Sequence, residues 1–194
     1  MGVSRQQAAE NRNAIIAAAE RLFRVRGVDA VGLTELMKEA GFTQGGFYNH
    51  FKSKDALVAA VMEKAMQDRA EAPNAGSVAQ QVTAYLSSAH RDNVEAGCPL
   101  SGFAGDAPRL TDAARACYAQ GVAGYLDRLE RTIAAENPAA ADARGDAIAI
   151  FSQMIGALVL SRAVAGTDPA LADEFLDAGR PTLVARPDDP AAPA

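Results

Sequence analysis

The sequence predicts an all-α protein of 194 residues. Apolar residues recur at the i, i+3, i+4 and i+7 spacing in one segment after another, and this period places one apolar stripe along a helix. No segment shows a convincing alternation of apolar and polar residues, which a half-buried strand requires. Stretches rich in Gly and Pro separate the helical segments, so we expect a succession of helices joined by turns.

The N-terminal part predicts three helices in close succession. The first is expected to end at Gly27, and the second carries an apolar stripe that Gly41 ends by supplying a left-handed backbone position. Thr43 is a good N-cap, so a third helix is expected to begin there. The stripe of the second helix consists of Leu33, Leu36, Met37 and Ala40.

The third predicted helix has an apolar face and a polar face. Phe47 and Phe51 are four residues apart and therefore share the inward face. The outward face offers an amide, a phenol and glycine, which suit base edges and phosphates. Two short helices joined by a glycine turn, the second with such a face, indicate a helix-turn-helix DNA-binding domain. The alternative is a helical hairpin with a solvated polar face.

The tandem Gly45-Gly46 and Lys54 are unfavourable for local helix stability. Each glycine costs a helix roughly 1 kcal/mol relative to alanine, so we expect close approach of the backbone to DNA there. Ser53 is expected to cap the next helix, which puts Lys54 in its first turn, where the helix dipole disfavours a cation. A nearby phosphate would remove that penalty, and we therefore expect Lys52 and Lys54 to bind phosphates.

The predicted DNA-binding residues all lie between the start of the second helix and the start of the fourth. Base and phosphate contacts cannot be told apart at this level. The predicted residues are Thr34, Thr43, Gln44, Gly45, Gly46, Tyr48, Asn49, His50, Lys52 and Lys54.

Residues 13–57 resemble the N-terminal domain of the TetR family of bacterial transcriptional repressors. The resemblance is carried by residues 16–23, Gly27, residues 36–41 and residues 46–54, and it covers about a quarter of the chain. It implies that the helix near Thr43 enters the major groove, that Tyr48 and Lys54 touch the DNA backbone, and that the protein binds palindromic operators as a dimer. Gly32 departs from the family, which often has a Ser or Thr cap there, but Gly can also cap a helix.

The charge is distributed unevenly along the chain. The net charge is −5, with a balance of +2 over residues 1–55 and −7 over residues 56–194. This asymmetry assigns the DNA-facing role to the N-terminal third, while the acidic remainder should repel DNA. We accordingly predict a DNA-binding domain over residues 1–55, a helical ligand-binding and dimerisation domain over residues 56–180, and a disordered tail over residues 181–194, which is rich in proline.

The body is predicted to hold five further helices. The second of them is expected to stop near Gly97, where an irregular Gly- and Pro-rich stretch over residues 98–108 follows. The helix after Thr111 is expected to stop at Asn137-Pro138, and the last helix is expected to cover residues 169–179. The five begin after Ser53, near Ser77, after Thr111, near Ala141 and near Pro169.

The segment of residues 147–165 is apolar around most of its circumference and must be covered on all sides. We predict that it forms a two-fold dimer interface with residues 171–176, as the resemblance implies; the alternative is a central core helix. Small residues, Gly156, Ala157 and Ser161, would allow close helix approach there. The predicted interface residues are Phe151, Ile155, Gly156, Leu158, Val159 and Arg162.

The middle of the chain holds candidates for a small-molecule pocket, because aromatic side chains with a few hydroxyls are typical of such sites. The resemblance implies an inducer that rotates the DNA-binding domains, and its identity stays open. Most aromatics at helical spacing are core residues, which is the alternative for each of them. The predicted pocket residues are Tyr85, Cys98, Phe103, Tyr118, Tyr125, Phe151 and Met154.

Cys98 is the one residue of this set with reactive chemistry of its own. It precedes Pro99 at a predicted helix N-terminus, where a lowered thiol pKa would expose a thiolate to oxidants or electrophiles. The alternative is a small buried hydrophobe. Cys117 lies mid-helix and is expected to be structural, and His90 with Cys98 lacks metal-ligand spacing, so we predict no metal site.

The remaining composition predicts a cytoplasmic protein. The N-terminus lacks the apolar core of a signal peptide, and no uninterrupted apolar run reaches the roughly 18 residues of a membrane span. Catalytic triads, paired carboxylates, phosphate loops and cofactor fingerprints are missing from the sequence, so we expect no enzyme and no cofactor. The competing hypothesis is a thiol-reactive or small-molecule-transforming enzyme with an accessory helical head.

Overall fold

The computed structural model describes residues 4–72 and 76–184, and the regular structure within them is entirely helical. Two 3₁₀ helices, η1 (Gln44–Asn49) and η2 (Ala107–Arg109), interrupt the series of α-helices. The α-helices are α1 (Arg5–Arg26), α2 (Leu33–Glu39), α3 (Lys54–Glu71), α4 (Val78–Tyr85), α5 (Ser88–Asp92), α6 (Pro99–Gly102), α7 (Asp112–Glu136), α8 (Ala143–Val164) and α9 (Pro169–Val184).

The chain divides into two compact units. One unit holds residues up to Glu71 together with Val94–Gly121, and the other holds Ala72–Asn93 together with the chain from Val122 onward. The first unit is therefore discontinuous in sequence. The predicted functional domains 1–55 and 56–180 follow a different division, and they stay predictions.

The first unit is built on α1. Its buried face includes Ile15, Ile16 and Phe23, and Gly27 (φ +81°) ends the helix as predicted. Short α6 packs against both α1 and α3. At this contact the guanidinium of Arg24 donates to the carbonyl of Glu95 at 2.9 Å, and a Cβ placed on Gly102 would lie 3.3 Å from Arg24 Cγ. The absence of a side chain at Gly102 therefore gives Arg24 its space.

The second unit is dominated by the packing of α8 against α9. Buried Ser161 donates its hydroxyl to the carbonyl of Ala172 at 2.7 Å, which joins the two helices. A Cβ on Gly179 would lie 2.8 Å from Leu86 and 3.5 Å from the Cβ of Ala157. Small residues thus let helices of the same subunit approach closely. Ala157 and Ser161 thus make contacts within the unit, and their role in close approach between subunits stays a prediction.

Two predicted helix boundaries are wrong. The helix expected to run from Ser77 to near Gly97 is two helices, α4 and α5, because Ser87 accepts a hydrogen bond from the backbone N–H of His90 and caps a new helix. The last helix continues through Val184, past the start of the predicted tail at residue 181. Residues 185–194, the rest of that tail, lie outside the described residues.

The apolar helix α8 is more exposed than a central core helix. Its 22 residues suffice in length and composition to cross a bilayer, and a core helix of a globular protein meets the same criterion. Ile148, Val159 and Leu160 are exposed, together with Leu171 of α9. Apolar side chains on neighbouring helices thus remain uncovered within one chain.

Candidate nucleic-acid interface

The turn between α2 and η1 is a Schellman motif. Gly41 has a φ of +83°, as the sequence predicted. Its N–H donates to the carbonyl of Lys38, and the N–H of Phe42 donates to the carbonyl of Met37 at 2.8 Å. These two bonds satisfy carbonyls at the end of α2 and reverse the chain.

The segment after this turn is a 3₁₀ helix and not the predicted α-helix. Thr43 occupies the N-cap position, but its side chain makes no capping hydrogen bond. The backbone N–H of Gly46 donates to the carbonyl of Thr43 at 3.0 Å, the short i to i+3 spacing of a 3₁₀ turn. The two glycines have a low α-helix propensity, which favours the tighter, shorter element.

Phe47 and Phe51 anchor η1 as predicted. Both side chains are buried, and their rings stack with centroids 5.7 Å apart. The ring of Tyr48 meets Phe47 edge to face at 5.3 Å, yet 68% of Tyr48 is exposed. The anchor therefore fixes the direction in which an exposed phenol projects.

The outward face of η1 is polar and open. Gln44, Gly45 and Asn49 are exposed beside Tyr48, and a Cβ on Gly45 would meet nothing within 4 Å. Thr34, which is also exposed, donates its hydroxyl to the amide oxygen of Gln44 at 2.8 Å. The structure thus brings these predicted residues together on one surface.

A shallow depression of about 340 Å³ adjoins this surface. It contains three of the predicted residues, Gly46, Asn49 and His50, together with Asn11 of α1. The N-terminal half of α1 therefore forms one side of the candidate interface. The other lining residues are Ala8, Met37 and Phe42.

The two predicted phosphate-binding lysines differ in environment. Lys52 is exposed, whereas Lys54 is half-buried and its ammonium donates to the carbonyls of Val28 and Val31, both at 2.7 Å. The first turn of α3 thus accommodates a cation because backbone carbonyls of the α1–α2 loop bind it, so the explanation through a phosphate is not required. Ser53 caps α3 as predicted, accepting from the N–H of Ala56.

The predicted pocket residues fall into both units. In the second unit the rings of Tyr125 and Phe151 lie 4.6 Å apart, and Met154 is almost fully buried. Tyr85 in that unit packs edge to face on His90. In the first unit Phe103 is fully buried, and Tyr118 and Cys98 are half-buried. The structure thus gathers the predicted residues into separate groups, and their ligand-binding role stays a prediction.

Cys98 is the N-cap of α6, in agreement with the sequence. However, α6 has only four residues, and so short a helix has little dipole to stabilise a thiolate. Tyr118 is a neighbour of Cys98, and its hydroxyl donates to the carbonyl of Leu100 in α6 at 2.7 Å. Burial, and then the charge of the Cys98 thiolate, raise the pKa of Tyr118 to about 12. Cys117 is half-buried in α7.

Three predicted dimer residues are buried or hydrogen-bonded within their own unit. Phe151 and Leu158 are buried, and Arg162 donates to the carbonyls of His90 and Arg91. Their place in a dimer interface stays a prediction. Ile155 and Gly156 are half-buried and Val159 is exposed. A groove of about 560 Å³ between α8 and α9 includes Gly156, Leu160, Leu171 and Phe175.

Among the described residues, no group of three or more His, Cys, Asp or Glu side chains is placed to hold a metal ion.

The hydrogen bonds from Lys54 to the carbonyls of Val28 and Val31 could not be predicted from the sequence. Backbone carbonyls have no sequence signature, so no pattern indicated them.

The glycine turn, the buried aromatic anchor and the open polar face define a helix-turn-helix protein of the DNA-binding type. Residues 15–61 match the family model described as bacterial regulatory proteins, tetR family. Over this segment the chain is similar to the DNA-binding domain of that family.

Named relatives match part of the chain. AcrR, an HTH-type transcriptional regulator of Shigella flexneri, is 42% identical over 60 residues, which are 31% of this chain and 28% of that protein. BepR, an HTH-type transcriptional repressor of Brucella suis, is 40% identical over 62 residues, 32% of this chain and 30% of that protein. The alignments span less than a third of each relative. These relatives are named as a transcriptional regulator and a transcriptional repressor.

Solved structures match most of the chain. A TetR-family regulator from Agrobacterium tumefaciens gives a TM-score of 0.73 at 18% identity, covering 91% of this chain and 97% of that one. The reduced form of Escherichia coli NemR gives 0.68 at 23% identity, covering 89% and 95%. At these identities the matches show the fold, and they confirm the predicted all-α class.

Proposed function

We propose that this chain is a transcriptional repressor that binds palindromic operator DNA as a homodimer and leaves it when a small molecule or thiol-reactive compound is sensed. The observation that carries this proposal is the face of η1, where Tyr48, Gln44 and Asn49 are exposed over the buried ring of Phe47. A rigid apolar anchor beneath polar side chains suits an element that must enter the major groove in a fixed orientation.

The homodimer is supported by the exposed apolar residues of α8 and α9. Ile148, Val159, Leu160 and Leu171 are between 37% and 49% exposed, and the groove between the two helices offers Gly156 and Phe175 beside them. A second copy is the occupant we propose, because a palindromic operator needs two reading elements related by a two-fold axis. Burial of this surface also suits a cytoplasmic protein without a membrane partner.

The signal is proposed to act through the residues around Cys98 or through an apolar site in the second unit. Cys98 is half-buried and is the N-cap of α6, so oxidation or alkylation of its thiol would alter the α6 region, which packs on α1. The aromatic pair Tyr125 and Phe151 supports the small-molecule route, with an inducer of unidentified chemistry.

A mobility-shift titration on DNA from upstream of the chain's own gene tests the proposal. The wild-type protein should shift this DNA more tightly than an unrelated duplex of equal length, and binding should weaken steeply with salt. Tyr48→Ala should abolish the selective shift, while Val25→Ala, at another exposed apolar residue of the first unit, should retain it. Equal binding of both duplexes by the wild type would refute a sequence-specific repressor.

The thiol route has its own test. Cys98→Ser should bind DNA as the wild type does but resist release by an oxidant or electrophile, and Cys117→Ser, the second half-buried cysteine, serves as the matched control. Release of the Cys98→Ser variant at the wild-type reagent concentration would eliminate the thiol signal and leave the small-molecule inducer.

A further inference from the structure

The arginines of α1 differ in whether a carboxylate neutralises their positive charge. Three of them form ion pairs with carboxylates: Arg21 with Glu39, Arg24 with Glu20 and Arg26 with Glu35. Arg12, nearer the N-terminus, has no carboxylate partner among the described residues. Its guanidinium carbon instead lies over the ring of Phe51, 4.9 Å from the centroid. Arg12 is therefore held in place while its positive charge is not cancelled by a neighbour.

The position of Arg12 places this charge beside η1. Arg12 lies one helical turn before the buried Ile16, so it points from the edge of the packed face of α1. The preceding residue, Asn11, lines the depression that Asn49 and His50 also line. Phe51, on which Arg12 rests, is buried and is followed directly by the exposed Lys52. Arg12 thus extends the candidate interface onto α1.

Stacking on an aromatic ring suits an arginine that must bind a phosphate. The ring attracts the cation at its face and limits the side chain's motion, which lowers the entropy lost when a ligand binds. The guanidinium N–H donors lie in its plane and match the oxygens of a phosphate. Arg12 is exposed, so these donors are accessible to a ligand.

We propose that Arg12, positioned by Phe51, binds a phosphate of duplex DNA and anchors the sugar-phosphate backbone against α1 while η1 lies in the groove. The partner is the phosphodiester backbone, so the contact adds affinity without sequence preference. This inference rests on the proposed DNA-binding function, and it assigns a contact that sequence patterns did not indicate.

The test compares Arg12→Gln with Arg21→Gln, which removes the same charge from the same helix at an arginine already paired with Glu39. Fluorescence anisotropy measures binding to the upstream DNA and to an unrelated duplex over a series of salt concentrations. We expect Arg12→Gln to weaken binding to both duplexes roughly five- to tenfold near physiological salt and to lower the salt slope by about 0.9. Arg21→Gln should retain the wild-type slope.

A third variant, Arg12→Lys, keeps the charge and should retain most of the slope, and thermal unfolding of each variant verifies that the fold is intact. The inference is overturned if Arg12→Gln binds with the affinity and slope of Arg21→Gln, or if its loss is confined to the upstream DNA. If the wild-type protein binds neither duplex, the proposed function fails first, and this result is distinct from a failure of Arg12 alone.

Discussion

The hydroxyl of Thr34 on α2 donates a 2.8 Å hydrogen bond to the amide oxygen of Gln44 at the start of η1. With its oxygen engaged, Gln44 keeps its amide N–H groups as donors, which suits acceptors such as the purine N7 in the major groove. Thr34→Val removes the hydroxyl at constant shape. We expect roughly a three- to tenfold loss of affinity for the upstream DNA, in the range of one hydrogen bond.

The measurement for Thr34→Val is a competition titration with upstream and unrelated duplexes. Thr34→Ser, which retains the hydroxyl, is the control and should bind as the wild type does. Because Thr34 is exposed, neither change should alter the melting temperature appreciably. A Thr34→Val protein with undiminished discrimination would show that the bond does not orient Gln44 for DNA.

Lys54 is expected to contribute more to folding than Lys52. Lys54→Met leaves the carbonyls of Val28 and Val31 without their ammonium donor, so the free energy of unfolding should fall by about 1–3 kcal/mol. Lys52→Met, at an exposed position, should change it by less than about 0.5 kcal/mol. Urea unfolding measures the free energy of unfolding of both variants. Equal values would contradict a structural role for Lys54.

Gly41 and Gly45 are predicted to respond oppositely to alanine. Gly41→Ala forces a Cβ into a φ of +83° and should destabilise the fold by about 1–2 kcal/mol. Gly45 has no such φ and open space around it, so Gly45→Ala should leave stability unchanged or raise it by up to about 1 kcal/mol. If the backbone of η1 approaches DNA closely, Gly45→Ala should nevertheless bind DNA more weakly.

Thermal unfolding and anisotropy on the same two proteins separate these effects. A Gly45→Ala variant that is stable and binds DNA normally would eliminate close backbone approach as the reason for this glycine. Gly45 would then be explained by the 3₁₀ geometry of η1 alone.

Tyr118 should make the protein sensitive to alkaline pH. Its pKa rises from 10.0 to about 12 in the folded protein, through burial and the nearby Cys98. The unfolded chain therefore loses this proton first, and the free energy of unfolding should fall as the pH rises from 10 towards 12. Tyr118→Phe should flatten this fall, whereas Tyr48→Phe, at an exposed ring, should not. Chemical unfolding at several pH values provides the measurement.

The apolar surface of α8 should control the oligomeric state. Leu160→Glu places a charge on a residue that is 49% exposed in one chain and lines the groove beside α9. We expect the wild type to sediment as a dimer at micromolar concentration and Leu160→Glu as a folded monomer, because burying an unpaired charge at an interface is costly. Val25→Glu, an equally exposed apolar site in α1, should remain dimeric. A monomeric wild type would end the dimer proposal.

Local sequence signals predicted the parts of this molecule that depend on neighbours in the chain. The left-handed Gly41, the cap at Ser53 and the shared face of Phe47 and Phe51 all follow from residues within a few positions. The 3₁₀ form of η1 was missed because two glycines weaken an α-helix without indicating which element replaces it. The break at Ser87 was missed because the apolar spacing continues through it.

Contacts between distant residues were the least predictable. Phe151 and Leu158 were assigned to a dimer interface because α8 is apolar on every side, yet which side the same chain covers depends on α9. The ammonium of Lys54 and the ring beneath Arg12 likewise find partners 23 to 39 positions away. Helical periodicity carries no information about such pairs.

The discontinuous first unit has a consequence for protein engineering. Fully buried Phe103 and the carbonyl of Glu95, which bonds to Arg24, come from beyond residue 94, although they complete the packing of α1. A chimera that transplants only residues 1–55 onto a foreign body would strip α1 of these partners. A transferable reading module would have to include residues 94–121 as a second, non-contiguous insert.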